Sequence, residues 1–118
     1  EMAIKYGFDD YVGAVYIRDK DDIYTGEVVP MWDSASKEKA IKMFTEKYGI
    51  ELEKSYAYGD TLGDFSMMNM VKKPVCVNPT KELVKKVLED PAVSSRVKII
   101  VERKDMIYKL GASCIKEI

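Results

Sequence analysis

The feature that most constrains this chain is an alternation that begins at residue 37: helix, strand, helix, strand, helix, strand, helix. Ile41, Phe44 and Tyr48 fall at i, i+3 and i+7 on one helical face, and Gly49 follows as the residue that stops the helix. SYAYG (55–59) reads as a short apolar strand, and Asp64 to Met70 as a short helix. PVCVN (74–78) is the next strand. Pro79 and Thr80 then open a helix with Leu83, Val84, Val87 and Leu88 on one face, ended near Asp90–Pro91. VKIIV (97–101) is a strand, and KDMIYKLG (104–111) is predicted as a last helix closed by Gly111. Strands separated by crossover helices imply a parallel α/β sheet flanked by helices, and such sheets bind ligands at the carboxyl ends of their strands.

Ahead of that region, YVGAVYI (11–17) and IYTGEVV (23–29) are β-branched and aromatic, and the charged RDKDD between them suits the loop of a small hairpin. The opening EMAIKYGF reads as the last turn of a helix, so the chain reads as a piece of something longer. Residues 1–118 fit a single domain with one core.

Composition removes several function classes. A formal net charge of −1 gives no electrostatic case for nucleic acid or an anionic membrane surface. No apolar run is long enough to cross a bilayer, and no signal peptide is visible. Two isolated cysteines, Cys76 and Cys114, make no disulfide framework, so a cytoplasmic location is the expectation. The chain has no histidine, which excludes Ser-His-Asp and Cys-His catalysis and any histidine-based zinc site.

What remains is YAYGDTLGDFSMM (56–68), with Asp60 and Asp64 just past the end of a strand. A strand-to-helix turn alone accounts for part of it: Gly59 and Gly63 give permissive backbone and Asp64 caps the helix. Two carboxylates at that position also make a hard-oxygen site of the kind that holds Mg²⁺ with water and phosphate oxygens. Asn78 stands at the next strand end, where it either faces a phosphate or begins an Asn-Pro loop.

YGDTLGDFSMM followed by PVCVNPTKEL resembles the C-terminal portion of the haloacid dehalogenase (HAD) superfamily of phosphatases, most closely its phosphoserine phosphatase-like branch. There a strand ends in G-D-x-x-x-D, a Met/Leu-rich helix follows, and the next strand reads P-V-A-V-N-P. The hairpin segments resemble the same family's stretch between its second and third motifs. The resemblance implies a HAD-like Rossmannoid sheet and Mg²⁺ as cofactor. It implies Asp60 as a metal ligand and Asp64 as a second carboxylate supporting the metal shell. Lys37, twelve residues before Gly49, would be the catalytic lysine that neutralises phosphate, with Lys39 as the alternative.

The chain departs from that pattern in three places. The nucleophile motif D-x-D-G-[TS] is missing: the one D-x-D, Asp19–Asp21, lies in the hairpin loop with Asp22 and Ile23 where Gly-Thr should follow. The Ser/Thr motif that grips phosphate is also missing. Gly63 stands where phosphoserine phosphatases carry Asn, which argues against phosphoserine itself. The chain therefore reads as part of a Mg²⁺-dependent phosphomonoester hydrolase acting through an aspartyl-phosphate on a small phosphorylated metabolite. The nucleophile strand and the cap would lie ahead of Glu1. The alternative is a non-catalytic α/β module whose exposed sheet edge makes a homodimer or scaffold. A receiver-like domain ranks lower, since Asp9–Asp10 do not follow a strand. Tyr56 and Tyr58 are expected in or near the core, with stacking on a substrate as the lesser alternative, Met67, Met68 and Met70 between helix and sheet, and Cys76 as a small buried apolar group.

Overall fold

A computed structural model of the chain describes residues 2–116; Glu1 lies outside them. The first helix, α1, runs Met2–Tyr6. Strands β1 (Val15–Arg18) and β2 (Tyr24–Val29) pair antiparallel, with Val15 opposite Val29 and a bulge between Tyr16 and Arg18. The loop between them is the turn that its charges suggest. The Asp19 carboxylate accepts the N–H groups of Asp21 and Ile23, at 2.8 and 3.1 Å, and Asp22 takes a left-handed φ of 64°.

Helix α2 spans Ser34–Tyr48. Asp33 caps its start by accepting from the Ser36 N–H at 2.7 Å, and Gly49 closes it in the left-handed conformation, donating its N–H to the Thr45 carbonyl. Then come β3 (Tyr56–Gly59), α3 (Phe65–Met70), β4 (Lys73–Val77), α4 (Lys81–Glu89), α5 (Pro91–Ser94), β5 (Lys98–Arg103) and β6 (Met106–Gly111). The larger sheet has the order β3-β4-β5-β6: the first two pairings are parallel and the last is antiparallel. The α/β architecture is thus the one the alternation implies, and the separate two-stranded hairpin is the one expected around RDKDD.

The core lies between this sheet and the helices that cross over it. Met68, Cys76, Leu83, Val87 and Val93 are fully buried, with Ala57, Val71, Val97 and Ile99 around them. Leu83 and Val87 form the buried ridge of α4, which Thr80 caps by accepting from the Leu83 N–H. Met68 is buried and Met67 packs against the same cluster, and Cys76 is the small buried group its setting suggests. Among the described residues, none before Ala40 is buried. The hairpin therefore projects from the body, and the radius of gyration, 16.7 Å, exceeds the roughly 13–14 Å of a compact chain of this length. No helix among the described residues is long and apolar enough to cross a membrane.

Two expectations are corrected. Residues 106–111 form strand β6 instead of a helix, pairing with β5 from Arg103–Met106 to Lys98–Gly111. Lys104 (φ 21°) and Asp105 make a two-residue turn that folds the segment straight back along β5. A helix over residues 104–111 would stabilise little by itself, whereas the open edge of β5 satisfies the backbone and Ile107 and Tyr108 favour strand. Tyr56 and Tyr58 are exposed, at 56% and 58%, because β3 is an outer strand and only Ala57 turns toward the core. The two rings stack on each other with centroids 6.2 Å apart. With Ile41, Phe44 and Tyr48 of α2 they line an open groove of about 730 Å³.

Candidate functional site

The turn after β3 is built around one buried carboxylate. Asp64 ends a short 3₁₀ turn (Leu62–Asp64) and is only 5% exposed. Its Oδ2 accepts the backbone N–H groups of Asp60 and Thr61, at 2.9 and 3.1 Å, while Thr61 in return caps the turn. Its Oδ1 forms an ion pair with the Lys37 ammonium, which descends from the first turns of α2. Burial by itself would raise the Asp64 pKa. The Lys37 ammonium and the two backbone donors outweigh it, and the carboxyl is held below its ordinary value. Glycine at 59 is a condition of this arrangement, since a Cβ there would stand 2.4 Å from the Asp64 Cβ.

Asp60 is placed differently. Its backbone serves structure: the N–H goes to Asp64 and the carbonyl accepts from Thr80 N–H at 2.9 Å, tying the turn to the start of α4. Its side chain is exposed and makes no hydrogen bond or ion pair with any described residue. Asn78 follows β4 with a left-handed φ of 43°. Its N–H donates to the Ile100 carbonyl at 2.9 Å, and its side-chain oxygen accepts the Glu102 N–H at 2.8 Å. The side-chain NH₂ is left as a donor.

Lys37, Asp60, Asp64 and Asn78 line one open cleft of about 430 Å³ together with Tyr58, Gly59 and Val77. The sheet accounts for the convergence, because β3 and β4 are parallel neighbours and end side by side. Lys39 is exposed and contacts none of these groups, so Lys37 is the lysine that reaches the turn. Asp19 and Asp21 sit in the separate hairpin. Behind the cleft the Cys76 thiol is pushed up to about 11, by burial first and the nearby Asp64 charge second, which leaves it an inert apolar group.

The donor set fits a hard cation bound in part by water and ligand. Among the described residues there is no cluster of three or more Asp, Glu, Cys or His that could hold a metal. Mg²⁺ needs no such cluster, as one or two carboxylates with water and phosphate oxygens suffice. Both Asp64 oxygens are engaged by the protein, so Asp60 is the carboxylate open to a cation and Asp64 stands behind it, holding the turn and Lys37.

Sequence reasoning missed the groups that lock α2 to this turn. Ser34 Oγ donates to the Gly63 carbonyl at 3.2 Å, and Ser66 Oγ donates to the Ser34 carbonyl at 2.8 Å. No periodicity in the sequence marks a serine that bonds across 29 or 32 positions.

Comparison with known proteins places most of the chain in one family. Residues 17–95 match a family described as haloacid dehalogenase-like hydrolases. The chain is 32% identical over 82 residues to the inhibition of morphological differentiation protein of Streptomyces azureus, covering 70% of this chain and 30% of that protein. It is 33% identical over 70 residues to phosphoserine phosphatase SerB2 of Mycobacterium tuberculosis, covering 58% of this chain and 17% of that protein. The chain thus spans less than a third of the length of either relative. No solved structure matches it.

Proposed function

The chain belongs to the haloacid dehalogenase-like hydrolase family, and on that premise we propose that it carries the Mg²⁺- and phosphate-binding part of a phosphomonoester hydrolase acting on a small phosphorylated metabolite. One observation carries the reading: Lys37, Asp60, Asp64 and Asn78, scattered over 42 positions, line the same cleft at the carboxyl end of the sheet. The likeness to a phosphoserine phosphatase supports a phosphomonoester as the substrate class.

Each residue has a distinct part. Asp60 offers, as the metal ligand, a carboxylate that has no side-chain partner among the described residues. Asp64 holds the backbone of the turn so that Asp60 faces the cleft, and keeps the Lys37 ammonium at its wall. Lys37 offsets the charge of the phosphoryl oxygens, and the Asn78 NH₂ donates to one of them. When bound, Mg²⁺ supplies further charge neutralisation on the transferring group. The family resemblance implies an aspartate that attacks phosphorus and releases the alcohol, followed by hydrolysis of the aspartyl-phosphate by water. Asp19 is a poor candidate for that nucleophile, since its carboxylate organises its own hairpin turn.

The test is calorimetric Mg²⁺ titration of the wild-type chain and Asp60→Asn, with hydrolysis of an aryl phosphate followed in parallel with and without Mg²⁺. Loss of the binding heat in the variant is expected. Equal Mg²⁺ binding by both chains would remove Asp60 from the site and the reading with it. Metal-dependent turnover that disappears in Asp60→Asn would add that a nucleophile lies within these 118 residues.

A further inference from the structure

We propose that Ser34 and Ser66 are positioning residues: a reciprocal clasp that sets Lys37 against the turn carrying Asp60 and Asp64. The inference rests on the phosphate-site reading above for its functional consequence, while the clasp itself stands on hydrogen bonds and a backbone contact. Ser34 is the first residue of α2, and Lys37 lies one turn further along the same helix. The Ser34 hydroxyl donates to the Gly63 carbonyl, and the Ser34 carbonyl in turn accepts from the Ser66 hydroxyl. The two bonds run in opposite directions and bracket Asp64, one residue after Gly63 and two before Ser66.

Gly63 makes the approach possible. A Cβ at that position would stand 2.8 Å from the Trp32 carbonyl oxygen, a backbone atom that cannot swing aside. Residues 32 and 34 therefore both contact Gly63, and the start of α2 rests directly on the turn. Lysine is long and loses much rotamer freedom when its ammonium is fixed, so the position of its helix decides how much of the time Lys37 stays beside Asp64. A helix start held at two points limits that loss. The serines reach neither the cleft nor any ligand in it; they act through Lys37.

The clasp has a readout independent of any ligand. An ion-paired lysine ammonium exchanges its protons slowly enough for its ¹⁵N–¹H signal to be followed, and Lys37→Met assigns that signal. Ser34→Ala and Ser66→Ala each remove one neutral hydrogen bond, too little to unfold the chain. Both are expected to broaden or abolish the Lys37 signal while leaving the methyl signals of buried Leu83 and Val87 in place. Ser34→Thr, which keeps the hydroxyl, should restore it. Inorganic phosphate affinity at saturating Mg²⁺ should fall about fivefold in each alanine variant, as the loss of one such bond implies. An unchanged Lys37 signal in both alanine variants would overturn the clasp, as would failure of Ser34→Thr to rescue it. Should the wild-type chain bind no phosphate, the phosphate-site reading falls and the Lys37 signal alone decides on the clasp.

Discussion

Gly59 and Asp64 occupy almost the same space: a methyl group on Gly59 would come 2.4 Å from the Asp64 Cβ and 2.8 Å from its Oδ2. The last residue of β3 is glycine because the buried carboxylate folds back over it. Gly59→Ala must push away either β3, which is paired to β4, or Asp64, which holds two backbone N–H groups and Lys37. A loss of about 3 kcal/mol is expected, typical of overpacking at a rigid contact, with impaired Mg²⁺ binding. Urea denaturation measures the first; a variant as stable as wild type would show that the turn yields freely.

The Asp64 carboxyl has a pKa below its unfolded value, so the native state prefers it ionised. The stability this supplies is full above the unfolded carboxylate pKa of about 3.9 and is lost as pH falls through the lower folded value. Asp64→Asn should therefore be less stable than wild type near neutrality, and the gap should close on acidification below about pH 4. Denaturation midpoints of the two proteins across that range check the sign. A gap that stays constant into strong acid would mean that Asp64 is not ionised in the fold.

The parallel part of the sheet and the neighbouring strand ends that form the cleft could be read from residue order, because short-range signals carried them: stops at Gly49 and Asp90–Pro91, apolar runs for β4 and β5, and carboxylates at a strand end. The contents of β6 could not. KDMIYKLG suits a helix locally, and only the vacant edge of β5 decides for strand. Tyr56 and Tyr58 misled for a related reason, since their exposure follows from the rank of β3 as outermost strand of the sheet, which no local pattern encodes. The Ser34–Gly63 and Ser34–Ser66 bonds join positions about thirty residues apart through hydroxyl groups, which leave no periodic trace.

Gly63 stands where the resembling phosphatases carry asparagine, and the structure supplies a physical reason for the difference. Any Cβ there meets the Trp32 carbonyl at 2.8 Å. Gly63→Asn should cost about 1–3 kcal/mol by displacing residues 32–34. It should also weaken the Lys37–Asp64 pairing without touching either residue. Thermal denaturation and the Lys37 ammonium signal test both parts. An asparagine variant with wild-type stability and an unchanged Lys37 signal would show that the segment before α2 moves aside at no cost.

Asn78 joins the cleft to the β5–β6 hairpin, and its two structural duties can be separated by substitution. Its backbone is left-handed, which asparagine tolerates and glycine adopts freely, whereas alanine is disfavoured there by about 1 kcal/mol. Its side chain accepts the Glu102 N–H, a bond worth about another 1 kcal/mol. Asn78→Ala loses both, so a deficit of about 2 kcal/mol is expected, and Asn78→Gly should recover about half of it. The Glu102 amide distinguishes the two contributions. Its hydrogen exchange should accelerate in both variants, because neither provides an acceptor, even where glycine restores overall stability. Wild-type protection of Glu102 in Asn78→Gly would show that the hairpin is held without Asn78, whose side chain would then be committed to the cleft alone.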